Sequence, residues 1–215
     1  RRAFTRTPND QYYALQWHYQ LIGMEQAWDV TTGSSDVVVA VADTGIVSNH
    51  PDLSGRLISG FDFISDPSNA RDGNGRDPNP EDPGDLAKFP NSSWHGTHVA
   101  GTIGARSDDG LGVAGMDWAC RLMPLRVLGV NGGSSLDIVE SVRFAAGLPN
   151  ASGTTPAVPR GRADVLNMSL GGAGGSTCVW RWCHSFSCRD SSRNVSAVSA
   201  SVTRHVRLKS NCDTT

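Results

Sequence analysis

The segment that most constrains the fold is an unbroken run of small and β-branched apolar residues at positions 37–42, which ends at Asp43. β-Branched residues favour strands, and a run without polar alternation predicts a strand that is buried on both faces. Strands of this kind lie inside parallel sheets, whose connections are mostly helices. The run therefore predicts an α/β protein in which a carboxylate, Asp43, follows a central strand.

A second segment, residues 95–101, reads H-G-T-H-V-A-G and predicts the start of a helix. Val99, Ala100 and Ile103 begin an apolar stripe, and the two glycines permit close backbone packing. At the start of a helix, the helix dipole disfavours the imidazolium form of His95 and keeps its ring available as a base. Taken alone, the motif is more typical of a packing helix with a surface histidine, and its spacing does not match a zinc-binding histidine pair.

The remaining apolar segments alternate between strand-like and helix-like patterns. Short apolar runs predict strands at residues 61–64, 122–128 and 163–169. Apolar residues at helical intervals predict helices within residues 12–28 and over residues 136–148. This order predicts an α/β fold with a doubly wound, mostly parallel sheet flanked by helices and an active site at the carboxyl ends of the strands.

Four motifs occur in a fixed order along the chain: V-x-V-x-D-T-G-I at 39–46, H-P-D-L at 50–53, H-G-T-H-V-A-G at 95–101 and N-M-S-L-G-G at 167–172. Together they resemble the subtilisin family of serine proteases, in particular its secreted bacterial branch with disulfides. The resemblance covers about residues 8–178. It implies that Asp43 is the orienting acid and His95 the general base of an Asp-His-Ser triad.

The same resemblance implies how a substrate is held. Two segments of related proteases flank an extended polypeptide as added β-strands, so that main-chain hydrogen bonds bind any sequence and side-chain pockets select. Here those segments are a glycine-rich rim and a strand after the third buried run. The candidate substrate-binding residues are Gly129, Gly132, Gly133, Ser169, Leu170 and Gly171.

Two groups of oxygen-bearing side chains are candidates for a structural calcium ion. The resemblance implies that Asp10 and Asp52 bind calcium. The long polar loop at residues 65–89 contains Asp72, Asn74 and Asp77, whose alternation resembles a calcium loop but lacks the closing glutamate of an EF-hand. Solvated carboxylates at the first pair and a solvated linker at the loop are the alternatives.

Charge and hydropathy limit the partners. The net charge is −2 at pH 7, which offers no basic surplus for nucleic acid or for an anionic membrane. The chain contains no run of about eighteen apolar residues that would span a bilayer. We therefore expect no nucleic-acid or membrane partner. The resemblance implies polypeptide substrates and the chain's own pro-segment in the precursor, and we expect a monomer.

The amino-terminal residues are polar, include no apolar signal-peptide core and begin without Met. We expect a piece of a longer precursor in which residues 1–15 are a pro-segment remnant or an N-terminal arm. Five cysteines fit an oxidising compartment, in line with the secretion that the resemblance implies. Because the count is odd, at least one cysteine has no disulfide partner within the chain. Cys120 is the candidate, because Asn131 stands at the position where related proteases place the cysteine that pairs with it.

The composition changes after Cys178. All 24 glycines lie at or before Gly175, proline disappears as well, and serine, arginine and cysteine increase. The family's G-T-S-M-A-x-P nucleophile motif and its A-A-G-N stretch do not follow. Reading the codons one base later turns Trp180 and Trp182 into glycines and admits an alanine-rich helix. We therefore predict that residues 16–178 are the N-terminal part of a peptidase domain and that 179–215 are a frameshifted tail, with a natural divergent tail as the alternative.

Two functions remain in competition. The first is a subtilisin-type serine endopeptidase that cleaves extended polypeptides, represented here by an inactive fragment that lacks the nucleophilic serine and the C-terminal part of the fold. The second is a catalytically dead fragment or pseudoprotease that only binds peptide or calcium. The sequence of the gene beyond the codon for Cys178 distinguishes them.

Overall fold

The computed structural model describes residues 5–87, 91–171 and 199–201. The helices are α1 (Trp17–Leu21), α2 (Met24–Trp28), α3 (Pro67–Ala70), α4 (His95–Gly104) and α5 (Ser135–Ala145), with short 3-10 turns at Tyr13–Leu15 and Pro51–Leu53. The strands are β1 (Val38–Asp43), β2 (Phe61–Asp62), β3 (Arg121–Arg126), β4 (Val165–Asn167) and β5 (Ser199–Ser201).

The strands form one sheet in the order β2-β3-β1-β4-β5, with β1 in the middle. β1 pairs in parallel with β3 on one side and with β4 on the other, and β2 adds to β3 in parallel. β5 pairs antiparallel with β4, so the sheet is mostly parallel. The predicted central parallel strand and the α/β architecture are confirmed.

Both faces of β1 are covered, because successive side chains of a strand point to opposite faces. Val38, Ala40 and Ala42 contribute to one core, together with Phe63 and residues of α5. Val39 and Val41 contribute to a second core, which includes residues of α4. This two-sided burial is the reason that the run at 37–42 contains no polar residue.

The observed element boundaries differ from the predicted ones where polar side chains form caps or turns. α5 begins at Ser135 because the Ser134 hydroxyl accepts a hydrogen bond from the Asp137 amide, and it ends before Gly147, which has φ +71°. α3 lies inside the predicted loop 65–89, where Asp66 caps it and Pro67 starts it.

The last predicted strand is shorter than expected. β4 ends at Asn167, whose side-chain amide donates to the Ser169 hydroxyl at 3.0 Å. Ser169, Leu170 and Gly171 lie beyond β4 and pair with no strand among the described residues, so their pairing with a substrate strand stays a prediction. The main-chain groups of this segment make no strand-to-strand hydrogen bonds with the other described residues.

The N-terminal region packs on the sheet domain through aromatic side chains, as the helical spacing predicted. Tyr19 and Trp28 are buried in a third core with Tyr13. The Tyr19 hydroxyl lies 2.9 and 2.8 Å from the carbonyl oxygens of Thr102 and Ala114, which share its single proton. These contacts join the region to α4 and to the loop that follows it.

Most of the predicted tail lies outside the described residues. β5 is the described part of it, and its register places Ser201 opposite Val165. None of the helices in residues 5–87 and 91–171 is long and apolar enough to cross a membrane.

Candidate active site

The site is built around Asp43, the last residue of the central strand. Its side chain is 1% exposed. Oδ1 accepts a hydrogen bond from the Thr44 amide at 2.7 Å and lies 2.7 Å from His95 Nδ1. Oδ2 is buried and has no hydrogen-bond partner among the described residues. The predicted contact between the two residues is confirmed, with a separation of 52 positions in the sequence.

His95 is the first residue of α4, and its side chain is 47% exposed. Its backbone amide donates to Ser93 Oγ at 3.2 Å, and the preceding Trp94 has a left-handed backbone with φ +56°. A carboxylate at Nδ1 favours the tautomer that carries its proton there. The other ring nitrogen, Nε2, is then an acceptor, as a general base requires.

Gly96 allows the start of α4 to lie directly against β1. A Cβ at this position would be 2.2 Å from the Gly45 carbonyl oxygen and 3.2 Å from Asp43 Oδ1. The Gly96 amide donates to Thr44 Oγ1 at 3.0 Å. The helix start is thus held against the end of the strand by backbone contact as well as by the His95 side chain.

The electrostatic state of Asp43 follows from its burial. Burial raises the pKa of this carboxyl above its ordinary value, and the hydrogen bonds from His95 and from the Thr44 amide oppose the rise. A buried carboxylate with an imidazole as its ionisable partner is suited to orient the ring and to stabilise the imidazolium that forms during proton transfer.

A cleft of about 270 Å³ opens beside His95. Three of the predicted substrate-binding residues, Ser169, Leu170 and Gly171, line it. The structure therefore brings this segment next to the candidate base, although the segment is not paired with the sheet. The other described lining residues are Thr44, Asp85, Ser93, His95 and Leu128.

The glycine rim does not line this cleft. Gly129 and Gly132 pair with each other through two amide–carbonyl hydrogen bonds of 3.0 Å. Asn69 holds the same turn, because its side-chain amide donates to the Gly132 carbonyl at 2.9 Å. A Cβ at Gly129 would be 2.2 Å from the Asn69 carbonyl oxygen, and one at Gly133 would be 2.5 Å from the Val127 carbonyl oxygen. Close packing of this turn explains these two glycines.

Sequence reasoning missed an acidic and hydroxyl cluster that precedes α4. Asp85 accepts hydrogen bonds from the Ser92 hydroxyl, the Ser93 amide and the Ser93 hydroxyl, at 3.0, 2.5 and 2.7 Å. Asp82 also lies 2.6 Å from the Ser92 hydroxyl, whose single proton is shared between the two carboxylates, and it accepts from Thr44 Oγ1 at 3.4 Å. The available signal was the Ser92-Ser93 pair just before a helix start, a position where hydroxyls commonly bond to backbone or nearby acids.

Asp10 and Asp52 are both held by the loop at residues 108–113. Asp10 Oδ2 accepts from the Asp108 amide at 2.8 Å, and Asp52 Oδ2 accepts from the Val113 amide at 2.9 Å. The second oxygen of each carboxylate is buried and has no hydrogen-bond partner within the part of the chain that the structure describes. Burial raises the pKa of both groups, and the charge of Asp109 adds to the rise.

These two carboxylates fit a calcium ion, which binds six to eight oxygen atoms. Two buried oxygens without partners and two raised pKa values are the features that a bound cation would relieve. No group of three or more His, Cys, Asp or Glu side chains in the described part of the chain is arranged to hold a metal. The remaining ligands would therefore be backbone carbonyls or water.

The second calcium candidate is organised by arginine. Arg126 Nη1 lies 3.0 Å from Asp72 Oδ2 and also contacts Asp62. Asp77 accepts from the Asn79 amide at 2.6 Å, and the Asn74 amide donates to Asp72 at 3.3 Å. Calcium binding by Asp72, Asn74 and Asp77 stays a prediction, and a neighbouring guanidinium disfavours a second cation there.

Among the described residues, Cys120 is a buried free thiol; the other four cysteines lie outside those residues. Burial raises its pKa to about 12, so the thiol is protonated at neutral pH. It is packed in the core that also includes Val39 and Leu122.

Comparisons with known proteins agree with this geometry. A model of the Subtilase family matches residues 34–209, a range that continues past Cys178. The chain is 46% identical over 185 residues to an extracellular protease of Xanthomonas campestris pv. campestris, and the match covers 79% of this chain and 31% of the relative. It is 43% identical over 186 residues to an extracellular basic protease of Dichelobacter nodosus, covering 78% of this chain and 30% of that protein.

Thermitase of Thermoactinomyces vulgaris is 34% identical over 172 residues, a match that covers 80% of this chain and 50% of thermitase. A solved protease structure from Pseudoalteromonas arctica superposes with a TM-score of 0.71 at 43% identity, covering 79% of this chain and 52% of that one. The chain thus spans about a third of the length of its Xanthomonas and Dichelobacter relatives, at 31% and 30%.

Proposed function

The chain belongs to the subtilase family, and we propose that it carries two of the three catalytic residues of a secreted serine endopeptidase. In this proposal His95 is the general base and Asp43 is the acid that orients it. The observation that carries the proposal is the 2.7 Å contact between Asp43 Oδ1 and His95 Nδ1 at the carboxyl end of the central strand. The extracellular relatives support secretion.

The chemistry requires a base of this kind. A serine hydroxyl attacks a peptide carbonyl efficiently only when a neutral imidazole removes its proton as the new bond forms. His95 Nε2 takes that proton and later gives it to the leaving amine. Asp43, fixed by the Thr44 amide, keeps the ring in one orientation and stabilises its protonated form.

We propose that an extended polypeptide lies along the cleft beside His95, against Ser169, Leu170 and Gly171. The main-chain groups of this segment would bind the substrate backbone without regard to sequence. The amide and carbonyl groups of Gly129 and Gly132 are hydrogen-bonded to each other. The glycine rim would therefore contribute its shape to substrate binding, but those groups would not bond to the substrate. The pro-segment of the precursor would be a further partner, and the chain is proposed to act as a monomer.

The proposal for the chain as printed is that it is inactive. The nucleophile motif and the oxyanion-hole asparagine of the family are missing from its sequence after Cys178. Loss of the nucleophile in such a triad lowers turnover by about 10⁶-fold. The second candidate function is that of a protein that binds peptide or calcium without cleaving peptides.

A serine-directed phosphonate probe tests inactivity directly. We expect the purified, folded 215-residue chain to hydrolyse no casein and to take up no probe. The His95→Ala variant is the control. Covalent labelling of a serine in the segment 179–215 that His95→Ala abolishes would contradict the proposal, because it would reveal a nucleophile activated by His95.

The gene sequence separates the two candidate functions. Recovery of G-T-S-M-A-x-P in another reading frame beyond the Cys178 codon would assign the parent protein to the active proteases. An uninterrupted frame that encodes the printed tail would favour the binding protein instead.

A calcium ion at Asp10 and Asp52 is the cofactor proposed for the chain. When bound, the ion would act as a structural cross-link and would take no part in peptide hydrolysis. Asp10 belongs to the N-terminal arm and Asp52 to the 3-10 turn after β1, and both contact the loop at 108–113. Joining these segments would stabilise the packing of the arm on the domain.

A further inference from the structure

The cleft beside His95 has an acidic wall. Among its described lining residues, the titratable side chains are His95 and Asp85, and the others are neutral. Asp85 is partly exposed, whereas Asp43 is buried behind the His95 ring. The carboxylate of Asp85 is therefore the negative charge that a bound peptide would meet in this cleft.

The surroundings of Asp85 preserve its charge. Its hydrogen bonds come from neutral donors, the Ser92 hydroxyl and the amide and hydroxyl of Ser93. Although burial acts in the opposite direction, the Ser93 hydrogen bonds hold the pKa of this carboxyl below its ordinary value. Neutral donors stabilise the ionised form without cancelling its field, in contrast to the arginine that pairs with Asp62.

We propose that Asp85 is a specificity-determining residue, which selects a lysine or arginine side chain at the substrate position that passes His95. The inference rests on the proposed binding of an extended peptide in this cleft. Ser93 fixes Asp85 and also accepts the His95 amide, so the carboxylate is held at the same end of the cleft as the base. A cationic side chain that lies over this wall would gain an ion pair, and an acidic one would be repelled.

The size of the preference follows from the partial exposure of Asp85. An ion pair at a partly exposed site changes the Kd of a bound peptide by roughly tenfold. The preference is expected to weaken as salt is added, because exposed charges are screened.

Peptide binding to the 215-residue chain tests the inference without requiring catalysis. The probes are fluorescein-labelled hexapeptide amides that are identical except for one position, which is Arg, Gln or Glu and is moved along the peptide. We expect fluorescence anisotropy to give, at one position, a Kd about tenfold lower for Arg than for Gln, with Glu weakest. Asp85→Asn should reduce the Arg-to-Gln ratio to within about twofold.

Two control variants separate charge from structure. Asp36→Asn makes the same charge change at an exposed residue outside the cleft and should keep the ratio. Ser93→Ala removes one support of Asp85 but leaves its charge, and it should reduce the ratio less than Asp85→Asn does. Loss of the ratio in Ser93→Ala but not in Asp85→Asn would assign the effect to loop structure and overturn the inference.

The failures of the two proposals differ. If Arg and Gln peptides bind equally at every position, the specificity proposal is wrong and peptide binding stands. If no peptide binds to the folded chain, the proposed peptide cleft is wrong and the role of Asp85 is overturned with it.

Discussion

At the scale of single residues, the candidate site depends on Gly96, which has only a hydrogen atom where other residues have a side chain. Gly96 lets α4 start against β1, and this contact brings His95 to Asp43. Gly101 belongs to the same helix, yet a Cβ there would meet no atom within 4 Å. The two glycines therefore make a matched pair for separating packing from helix propensity.

We predict that Gly96→Ala destabilises the protein by about 1–3 kcal/mol, because its methyl group would overlap a backbone oxygen that cannot move independently. Gly101→Ala should stabilise the protein by up to about 1 kcal/mol, since alanine is the better helix former. Urea unfolding of both variants measures the difference. Equal effects of the two substitutions would contradict the packing seen at Gly96.

At the scale of elements, a buried arginine joins β3 to the acidic loop. Arg126 is the last residue of β3, and its side chain is 1% exposed. It contacts Asp62 at the end of β2, Asp72 in the loop and the carbonyl of Ala70, the last residue of α3. Arg76 makes a second link, 2.6 Å from Asp137 of α5. The loop is therefore ordered by ion pairs with the core rather than by apolar burial.

We predict that Arg126→Met lowers the free energy of unfolding by about 3–5 kcal/mol, because it leaves the Asp62 charge buried without its partner. Burial already raises the pKa of Asp62, and Arg126 opposes that rise. A carboxyl with a raised folded pKa binds protons more tightly in the native state, so the deficit should shrink as the pH is lowered.

Denaturant unfolding of Arg126→Met at pH 7 and pH 5 measures this effect. The control is Arg160→Met, which breaks an exposed pair with Asp164 and should cost no more than about 1 kcal/mol; the Arg160 side chain is 59% exposed. A similar cost for both variants would show that the buried ion pair is not a main source of order in the loop.

At the scale of the whole molecule, Asp10 and Asp52 join the N-terminal arm and the 3-10 turn after β1 to one loop, at residues 108–113. Segments 98 and 61 residues apart meet there. The raised pKa values mean that, without a cation, the folded state takes up protons at these groups. Stability should then fall as the pH rises from near 4, the ordinary value of an aspartate, through the raised values.

We predict that calcium raises the melting temperature of the chain and flattens this pH dependence. The stabilisation reaches about 2.7 kcal/mol when free calcium is a hundredfold above its dissociation constant. Asp52→Asn should remove the calcium response and raise stability in chelator, because it deletes one of the repelling charges. Thermal unfolding with calcium or chelator, at pH 5 and pH 7, measures both effects.

Asp77→Asn is the matched control for the other candidate site. If the calcium response persists in Asp52→Asn and disappears in Asp77→Asn, calcium binds in the loop at residues 65–89 instead. A melting temperature of the folded chain that is the same in calcium and chelator would contradict calcium binding at either place.

The sequence by itself determined the central strand and the start of α4, because each has a local cause, whereas the Asp43–His95 pair was implied by the motif resemblance. A two-sided apolar run can be buried only inside a sheet, and the motifs around Asp43 and His95 carry their strand end and helix start within a few residues. The Asp10 and Asp52 candidates came from the same motif resemblance. The free thiol of Cys120 also followed from a local substitution, Asn131.

Only the tertiary structure placed Asp85 and Ser169–Gly171 in one cleft with His95 and joined Arg126 to Asp62. These contacts link segments far apart in the chain, and no local pattern encodes them. An aspartate in a sequence gives no sign of whether its carboxylate faces solvent, an arginine or a substrate in the folded chain. Its neighbours in the folded chain decide its charge, its burial and its role.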